Sequence, residues 1–167
     1  MRFLTRLAVA VAVASSVLTG MAMTTAHAST ESVVPGYYQV INRQTGECLD
    51  VWGAATNHAA TVGVWRCVGA DNQQWKPVYT GDGFYEIRVL HTDMCLDVAY
   101  ASQSAGAQVV QGTCWGGENQ QWRPVPVDGT WYRLIARHSG MCLDKDYWGY
   151  AVQWSCGNGY WQQWAFL

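Results

Sequence analysis

A Gln-Gln-Trp motif occurs three times in this chain, within GADNQQWKPV at residues 69–78, GGENQQWRPV at 116–125 and NGYWQQWAFL at 158–167. A Cys-Leu-Asp motif repeats in step with it and begins at Cys48, Cys95 and Cys142, at a constant spacing of 47 residues. Repetition at such an interval is typical of folds built from copies of one small unit. The sequence therefore predicts three copies, at residues 34–82, 83–129 and 130–167.

Each copy has the pattern of β-strands. The segments YYQVIN, FYEIRV and WYRLIA alternate apolar with polar residues, and clusters of Gly, Asp and Asn interrupt the apolar runs. One copy is too small to bury its own apolar face, so we expect three four-stranded units to close around a shared core, which also removes exposed strand edges. The predicted fold class is all-β with pseudo-threefold symmetry.

The N-terminal 28 residues have the features of a signal peptide. Arg2 and Arg6 precede an apolar run from Leu7 to Leu18, and AHA ends the segment at Ala28 with the small-x-small cleavage pattern. The run is too short for a membrane span. We therefore expect a secreted, extracellular protein without membrane insertion, with a short tail at residues 29–33 and one domain at 34–167.

The charge balance argues against polyanionic ligands. The chain has 10 Lys and Arg against 12 Asp and Glu, and removal of the two signal-peptide arginines leaves 8 against 12, a net charge of −4. Nucleic acid favours a concentrated basic face, and the sequence has no run rich in Lys or Arg. We expect no nucleic-acid partner.

Six cysteines, two in each copy, predict disulfides. Six cysteines allow fifteen pairings in principle. The repeat symmetry favours Cys48–Cys67, Cys95–Cys114 and Cys142–Cys156, and export supplies an oxidising compartment. A metal site is disfavoured because the sequence has no Cys-x-x-Cys and no Cys/His cluster with zinc spacing. We expect no metal and no cofactor.

These motifs resemble those of the ricin-B-type β-trefoil lectins, which are also classed among carbohydrate-binding modules. The resemblance rests on Cys-Leu-Asp, on a second Cys 19 residues later in the first two copies, and on NQQW five residues after that. The third copy, with a Cys spacing of 14, is also similar to actinohivin-like repeats. The resemblance implies a β-trefoil of three four-stranded lobes, each with a shallow sugar pocket.

The resemblance also implies which residues form the pockets. Sugar binding needs a carboxylate, an amide and a flat aromatic platform, and the first copy is the most complete, with Asp50, Trp65 and Asn72. Gly63 stands where the family often has Gln. The first Gln of each motif (Gln73, Gln120 and Gln162) is expected either to brace the Asp or to reach the ligand.

The other two copies depart from this pattern. The second keeps Asp97 and Asn119 but has Gly112 at the platform position, so we expect a weak pocket unless Gln111 or Trp115 substitutes. The third has Asp144 and Trp154, and Trp161 replaces the amide. Alternative platforms in this third copy are Tyr147, Trp148 and Tyr150.

Several of these residues also have structural interpretations. Trp75, Trp122 and Trp164 are expected to fill the core, because a buried indole is a large apolar body. Each Asp could instead serve only as a turn residue, and Trp65 and Trp154 could pack inward. His91 and His138 align with each other, and we expect them at the surface, at strand ends.

The function predicted is that of a non-catalytic lectin, which acts as a monomer on galactose-, xylose- or mannose-containing glycans. No Ser/His/Asp or Cys/His set stands out, and paired cysteines leave no thiol nucleophile, so we expect no catalytic residues. The alternatives are a trefoil protein-binding module such as a protease inhibitor, and a binding subunit for a separate glycosidase. The sequence does not identify the sugar.

Overall fold

The computed structural model describes residues 36–167, which form an all-β fold. The predicted signal peptide and the tail at residues 29–33 lie outside the described residues. No helix in the described part is long and apolar enough to cross a membrane. The twelve strands are β1 (Tyr38–Asn42), β2 (Cys48–Val51), β3 (Ala60–Trp65), β4 (Gln74–Gly81), β5 (Phe84–Val89), β6 (Cys95–Val98), β7 (Val109–Gly112), β8 (Gln121–Pro126), β9 (Tyr132–Ala136), β10 (Cys142–Lys145), β11 (Ala151–Trp154) and β12 (Trp164–Phe166).

Half of the strands form a closed barrel. Antiparallel pairing runs from β1 to β4, β5, β8, β9 and β12 and returns to β1. A closed ring leaves none of these six strands as an exposed edge. The return pairing of β12 with β1 brings the last described strand beside the first, so the three copies depend on one another for closure.

The remaining strands form three hairpins, β2–β3, β6–β7 and β10–β11. Each hairpin extends from the barrel strand that precedes it. We call the sets β1–β4, β5–β8 and β9–β12 lobe 1, lobe 2 and lobe 3. Neighbouring hairpins also touch, for example where β3 pairs with β7. Three four-stranded lobes around a closed barrel form a β-trefoil, which confirms the predicted fold.

Short 3-10 helices connect the strands near the hairpins. They span Trp52–Ala54, Asp71–Gln73, Ala99–Ala101, Glu118–Gln120 and Tyr160–Gln162. Three of them contain the first Gln of the Gln-Gln-Trp motifs, just before a barrel strand. The repeated motif therefore holds the turn that joins each hairpin to the barrel.

The three motif tryptophans lie in the core, as predicted. Trp75, Trp122 and Trp164 are fully buried, and each indole Nε1 donates a hydrogen bond to the backbone oxygen of the Leu in its lobe's Cys-Leu-Asp motif. These bonds are 2.9, 2.9 and 3.1 Å long. A buried indole needs such a partner for its one N–H, so each Trp both fills the core and ties the barrel to β2, β6 or β10.

The predicted disulfides are confirmed. Cys48–Cys67, Cys95–Cys114 and Cys142–Cys156 are bonded, at sequence separations of 19, 19 and 14 residues. Each bridge closes the segment that contains its lobe's hairpin. In the chain-entropy account, a closed loop of this size contributes about 3 kcal/mol to the free energy of unfolding.

Candidate functional site

The Asp of each Cys-Leu-Asp motif lies in a hairpin strand and is almost fully buried. Asp50, Asp97 and Asp144 expose only 5, 6 and 6 % of their surface. Each carboxylate accepts a hydrogen bond from the first motif Gln of its lobe, with lengths of 2.7, 2.6 and 2.6 Å. Each Asp lies in a strand and not in a turn, and each one lines a cleft. A role as a turn residue therefore does not explain its position.

The first Gln of each motif braces this carboxylate. In lobe 1, the Gln73 amide also donates to the Arg66 backbone oxygen at 2.9 Å, and its own oxygen accepts the Val68 N–H at 2.8 Å. Gln120 and Gln162 make the corresponding bonds in their lobes. All three are buried, and their hydrogen bonds hold the Asp in place.

The amide at the start of NQQW has different partners in the different lobes. Asn72 donates to the Val51 backbone oxygen at 2.9 Å, whereas Asn119 donates to Asp97 Oδ1 at 2.7 Å and to the Val98 oxygen at 3.2 Å. In lobe 3, Trp161 occupies this position and is half exposed. The carboxylate of Asp97 is therefore held by two side-chain amides.

Burial changes the protonation of these carboxyls. Desolvation raises the pKa of Asp50, Asp97 and Asp144 above the usual value of 3.8, and hydrogen bonds from the bracing Gln residues offset part of the rise. A raised pKa means that the charged form costs free energy in the folded protein. A ligand hydroxyl that donates to the carboxylate would recover part of that cost.

A cleft of about 440 Å³ opens beside Asp50 in lobe 1. Its lining includes Trp65, Asn72 and Trp52. Trp65 is 59 % exposed, so it does not pack inward and is free to act as a platform. Sequence reasoning missed Trp52, because the equivalent positions in the other copies are Ala99 and Asp146 and no repeat pattern marks it.

In lobe 1, the residue that stands in place of the family Gln is Val64, one position after the Gly63 predicted from the sequence. Leu49 pairs with Val64, as Leu96 pairs with Gln111 and Leu143 with Gln153, so Val64 and not Gly63 is the equivalent residue. Gln111 and Gln153 are fully buried and donate to backbone oxygens of the preceding lobe. This position joins neighbouring lobes, and Gln111 is too deeply buried to form an exposed platform.

Lobe 2 has an aromatic surface despite Gly112. A cleft of about 460 Å³ beside Asp97 and Asn119 is lined by Trp115 and Tyr100, which are 69 and 100 % exposed. The cleft therefore contains aromatic rings although Gly112 stands at the platform position, and Trp115, the alternative named from the sequence, is one of them. Tyr100 was missed, yet it aligns with Tyr147 at the 47-residue spacing, and that spacing was the signal for it.

His58 also lines the lobe 2 cleft, although it belongs to lobe 1. Its Nδ1 accepts a hydrogen bond from the Thr113 backbone N–H at 3.2 Å. No repeated motif includes this residue, so sequence reasoning did not select it. The cleft of lobe 2 is thus built from two lobes.

The lobe 3 cleft, of about 380 Å³, is the most aromatic in its immediate lining. Asp144 lies beside Trp154, Trp161 and Tyr147, and Gln44 of lobe 1 completes one wall. Trp154 is 50 % exposed and does not pack inward. Of the alternative platforms, Tyr147 lines the cleft, whereas Tyr150 packs against Trp52 of lobe 1.

The two aligned histidines join lobes. His91 Nε2 is 3.0 Å from the Ala55 oxygen of lobe 1, and His138 Nε2 is 3.0 Å from the Ser102 oxygen of lobe 2. Both are only partly exposed and lie in the turn after a barrel strand. Their position at strand ends is as expected, and their contacts with the neighbouring lobe help to fix the lobe boundaries.

One cluster in the described residues has metal-ligand chemistry. Glu86, Cys95 and Cys114 lie together, but the two cysteines are bonded to each other. Disulfide sulfurs are not the thiolate ligands that metal binding requires. This cluster is therefore unsuited to hold a metal ion.

Solved structures with the same fold include a designed protein, part of an enzyme and an agglutinin. The designed threefold-symmetric protein ThreeFoil is 43 % identical, with a TM-score of 0.77, and the match covers 79 % of this chain and 98 % of that protein. An exo-β-1,3-galactanase from Clostridium thermocellum is 30 % identical with a TM-score of 0.77, over 80 % of this chain but only 30 % of the enzyme. The Rhizoctonia solani agglutinin shares the fold at 20 % identity, with a TM-score of 0.71, over 81 % of this chain and 96 % of the agglutinin.

Family membership follows from the sequence match. No curated protein matches the chain at a significant level. The family described as "Ricin-type beta-trefoil lectin domain-like" matches residues 21–112 and 85–150, which together span most of the chain. The three braced carboxylates, their clefts and this match lead to one conclusion: the chain belongs to the ricin-type β-trefoil lectin domain-like family.

Proposed function

We propose that this protein is a secreted, non-catalytic lectin that binds glycans through the clefts of its three lobes. The observation that carries the proposal is the repeated pairing of a buried, Gln-braced Asp with exposed aromatic rings in one open cleft. The carboxylate accepts hydrogen bonds from vicinal hydroxyls, and the ring packs against the apolar C–H face of a pyranose.

Each cleft contains proposed binding residues of two kinds, a carboxylate acceptor and one or more aromatic platforms. The acceptors are Asp50, Asp97 and Asp144, and the platforms are Trp65 in lobe 1, Tyr100 with Trp115 in lobe 2, and Trp154 with Tyr147 in lobe 3. Gln73, Gln120 and Gln162 act as positioning residues. Three clefts favour binding to multivalent surfaces, because a second contact becomes intramolecular once the first has formed.

The absence of catalysis is part of the proposal. Asp50 and Asp97 are the sole carboxylates in the described linings of their clefts, and every cysteine is bonded. In lobe 3, Asp146 lines the cleft together with Asp144, but its Oδ1 accepts the Tyr150 N–H and so helps to hold the loop. Glycoside hydrolysis ordinarily uses a pair of carboxyl groups on either side of the scissile bond. We infer binding without turnover.

A second candidate is a binding subunit that acts beside a separate glycosidase. The match to part of an exo-β-1,3-galactanase favours it, since that enzyme combines a domain like this chain with other sequence. This candidate shares the binding chemistry and differs only in the partner. It also makes galactose-containing polysaccharides natural first probes.

The test combines a pull-down with an activity assay. The mature protein is incubated with insoluble β-1,3-galactan, xylan and mannan, and both the bound protein and released reducing sugar are measured. We expect retention on at least one material without sugar release. Release of sugar would contradict the non-catalytic proposal, and protease inhibition without glycan retention would favour the protein-binding alternative.

A further inference from the structure

The loop at residues 146–150, between β10 and β11, connects the clefts of lobe 3 and lobe 1. At its start, Tyr147 lines the lobe 3 cleft. At its end, the Tyr150 ring packs on Trp52, with centroids 4.6 Å apart, and Trp52 lines the lobe 1 cleft. The Val64 N–H donates to the Gly149 oxygen at 2.8 Å and fixes the loop to lobe 1.

The loop is held by its own hydrogen bonds. The Tyr150 N–H donates to Asp146 Oδ1 at 2.8 Å, and the backbone of Asp146 and Tyr150 is joined by a bond of 2.9 Å. A Cβ at Gly63 would lie 2.5 Å from both the Gly149 oxygen and the Trp52 ring. Gly63 therefore stands where the other lobes have Val, because only glycine lets the loop and Trp52 pack there.

Aromatic rings cover this connection. We call Tyr147, Trp148, Tyr150 and Trp52 the aromatic ridge. Tyr147 and Trp148 are 90 and 75 % exposed, and their rings meet edge to face at 5.8 Å. Tyr150 and Trp52 are partly exposed and form a second ring pair further along the loop. Exposed apolar side chains that cluster in this way are typical of interaction surfaces.

The ridge is specific to this lobe boundary. The hydrogen bonds across the other two lobe boundaries involve residues 55–59 of lobe 1 and residues 102–107 of lobe 2. Neither of these two segments contains Tyr, Trp or Phe, although Trp154 of lobe 3 lies beside Gly106. The four rings of the ridge therefore mark the boundary between lobe 3 and lobe 1.

We infer that the aromatic ridge binds one neutral, linear polysaccharide chain that runs from the lobe 3 cleft to the lobe 1 cleft. This inference rests on the proposed function and names its ligand class. A polysaccharide presents a succession of apolar sugar faces, and successive exposed rings can pack against them. Asp50 lines the cleft at one end, and Asp144 and Asp146 line the cleft at the other end together with one cation, Lys145. Because carboxylates outnumber cations in these linings, an anionic chain would be repelled.

The experiment compares short and long ligands on the mature protein. Calorimetry measures xylose against xylohexaose, mannose against mannohexaose, and galactose against β-1,3-galactohexaose, with hexagalacturonate as the anionic chain. The test variant is Trp148→Ala, because Trp148 lines neither cleft. Tyr79→Ala is the matched control, since Tyr79 is also exposed, at 62 %, but lies on β4 away from the ridge.

We expect one neutral hexaose to bind more tightly than its monosaccharide. Trp148→Ala should weaken the hexaose about tenfold, the loss of one stacked sugar face, without changing monosaccharide affinity. Trp148→Phe should retain most of the affinity, and near-ultraviolet circular dichroism verifies folding. Equal hexaose affinity of Trp148→Ala and Tyr79→Ala, or preference for hexagalacturonate, would overturn the inference while leaving the lectin proposal intact. Failure of the wild type to bind any probe would instead overturn the proposed function.

Discussion

The Gln73 amide donates a hydrogen bond of 2.7 Å to the Asp50 carboxylate from a fully buried position. The same bond joins Gln120 to Asp97 and Gln162 to Asp144. Two residues beyond each of these Gln positions, the motif Trp fills the core. The repeated motif therefore links a Trp that is buried in the core to a Gln that holds the carboxylate of the cleft.

Removal of a brace should affect both stability and binding. Gln73→Ala leaves the buried Asp50 carboxylate without its amide donor and the Val68 N–H without its acceptor. We expect the free energy of unfolding to fall by about 1–3 kcal/mol, and lobe 1 affinity to fall although Gln73 does not touch the ligand. Chemical denaturation and calorimetry measure the two effects.

Gln74→Ala is the matched control for this variant. Gln74 is buried and neighbours Gln73, but its amide donates to the Gly69 backbone oxygen and not to the carboxylate. It should lower stability without specifically weakening the lobe 1 site. Equal loss of ligand affinity in both variants would show that bracing of Asp50 is not what Gln73 contributes.

Removal of a carboxylate should affect binding much more than stability. Asp97→Ala removes a charged acceptor worth about 1.5–3 kcal/mol per ligand hydrogen bond, which is roughly ten- to a hundredfold in affinity. Asp97→Ala leaves the buried Gln120 and Asn119 amides with only their backbone acceptors, at Thr113 and Val98. The burial cost of the charge also disappears and offsets part of this loss, so we expect the free energy of unfolding to fall by no more than about 1 kcal/mol. Calorimetry beside denaturation tests this.

The same variant tests whether the lobe 2 cleft binds sugar although Gly112 stands at its platform position. Because Tyr100 and Trp115 line the Asp97 cleft, Asp97→Ala should reduce the number of binding sites per protein, and Tyr100→Ala should weaken the same site. If neither change alters the stoichiometry or the affinity, lobe 2 is inactive, as the glycine at position 112 first suggested.

Binding should be lost on acidification. The pKa values of Asp50, Asp97 and Asp144 are raised above 3.8, so these groups become protonated at a higher pH than an ordinary Asp. Once protonated, they lose the charge that strengthens hydrogen bonds from sugar hydroxyls. Titrations from about pH 7 to about pH 4 should show falling affinity before the usual Asp value is reached.

Unfolding should not explain that loss. A carboxyl with a raised folded-state pKa binds protons more readily in the folded than in the unfolded protein, so its protonation favours the folded state as pH falls. Tryptophan fluorescence recorded at each pH serves as the control. Constant affinity down to pH 3.8 would show that the carboxylates are not the acceptors.

Removal of the lobe 3 disulfide should lower the stability of the fold without abolishing binding by lobes 1 and 2. The double variant Cys142→Ser with Cys156→Ser opens a loop of 14 residues and should cost about 3 kcal/mol in the free energy of unfolding. Binding by the other lobes should persist at temperatures where the protein remains folded. A complete loss of glycan binding by a folded double variant would contradict separate clefts.

The sequence predicted what repetition encodes. The lobes, the disulfide pairs and the buried tryptophans follow from motifs that recur along the chain, and the placement of each Asp beside a Gln follows from the resemblance to the ricin-B-type lectins. These features serve the shared core, so every copy must retain them. Their physical cause is the same in each lobe.

The parts that the sequence did not predict arise where the copies differ. Trp52 and His58 line the clefts from a loop or from a neighbouring lobe, and such contacts depend on how the lobes pack together. Gly63 is explained only by the loop of lobe 3 that lies against it. Single-copy residues at lobe boundaries leave no repeated pattern, so they require the three-dimensional structure.

In the proposed function, glycan binding requires the three carboxylates that the Gln residues hold in place. The most direct measurement is a glycan array probed with the wild type and with the triple variant Asp50→Ala, Asp97→Ala and Asp144→Ala, after circular dichroism has shown that both are folded. We expect defined glycan binding by the wild type and none by the triple variant. Binding of the same glycans by a folded triple variant would contradict it.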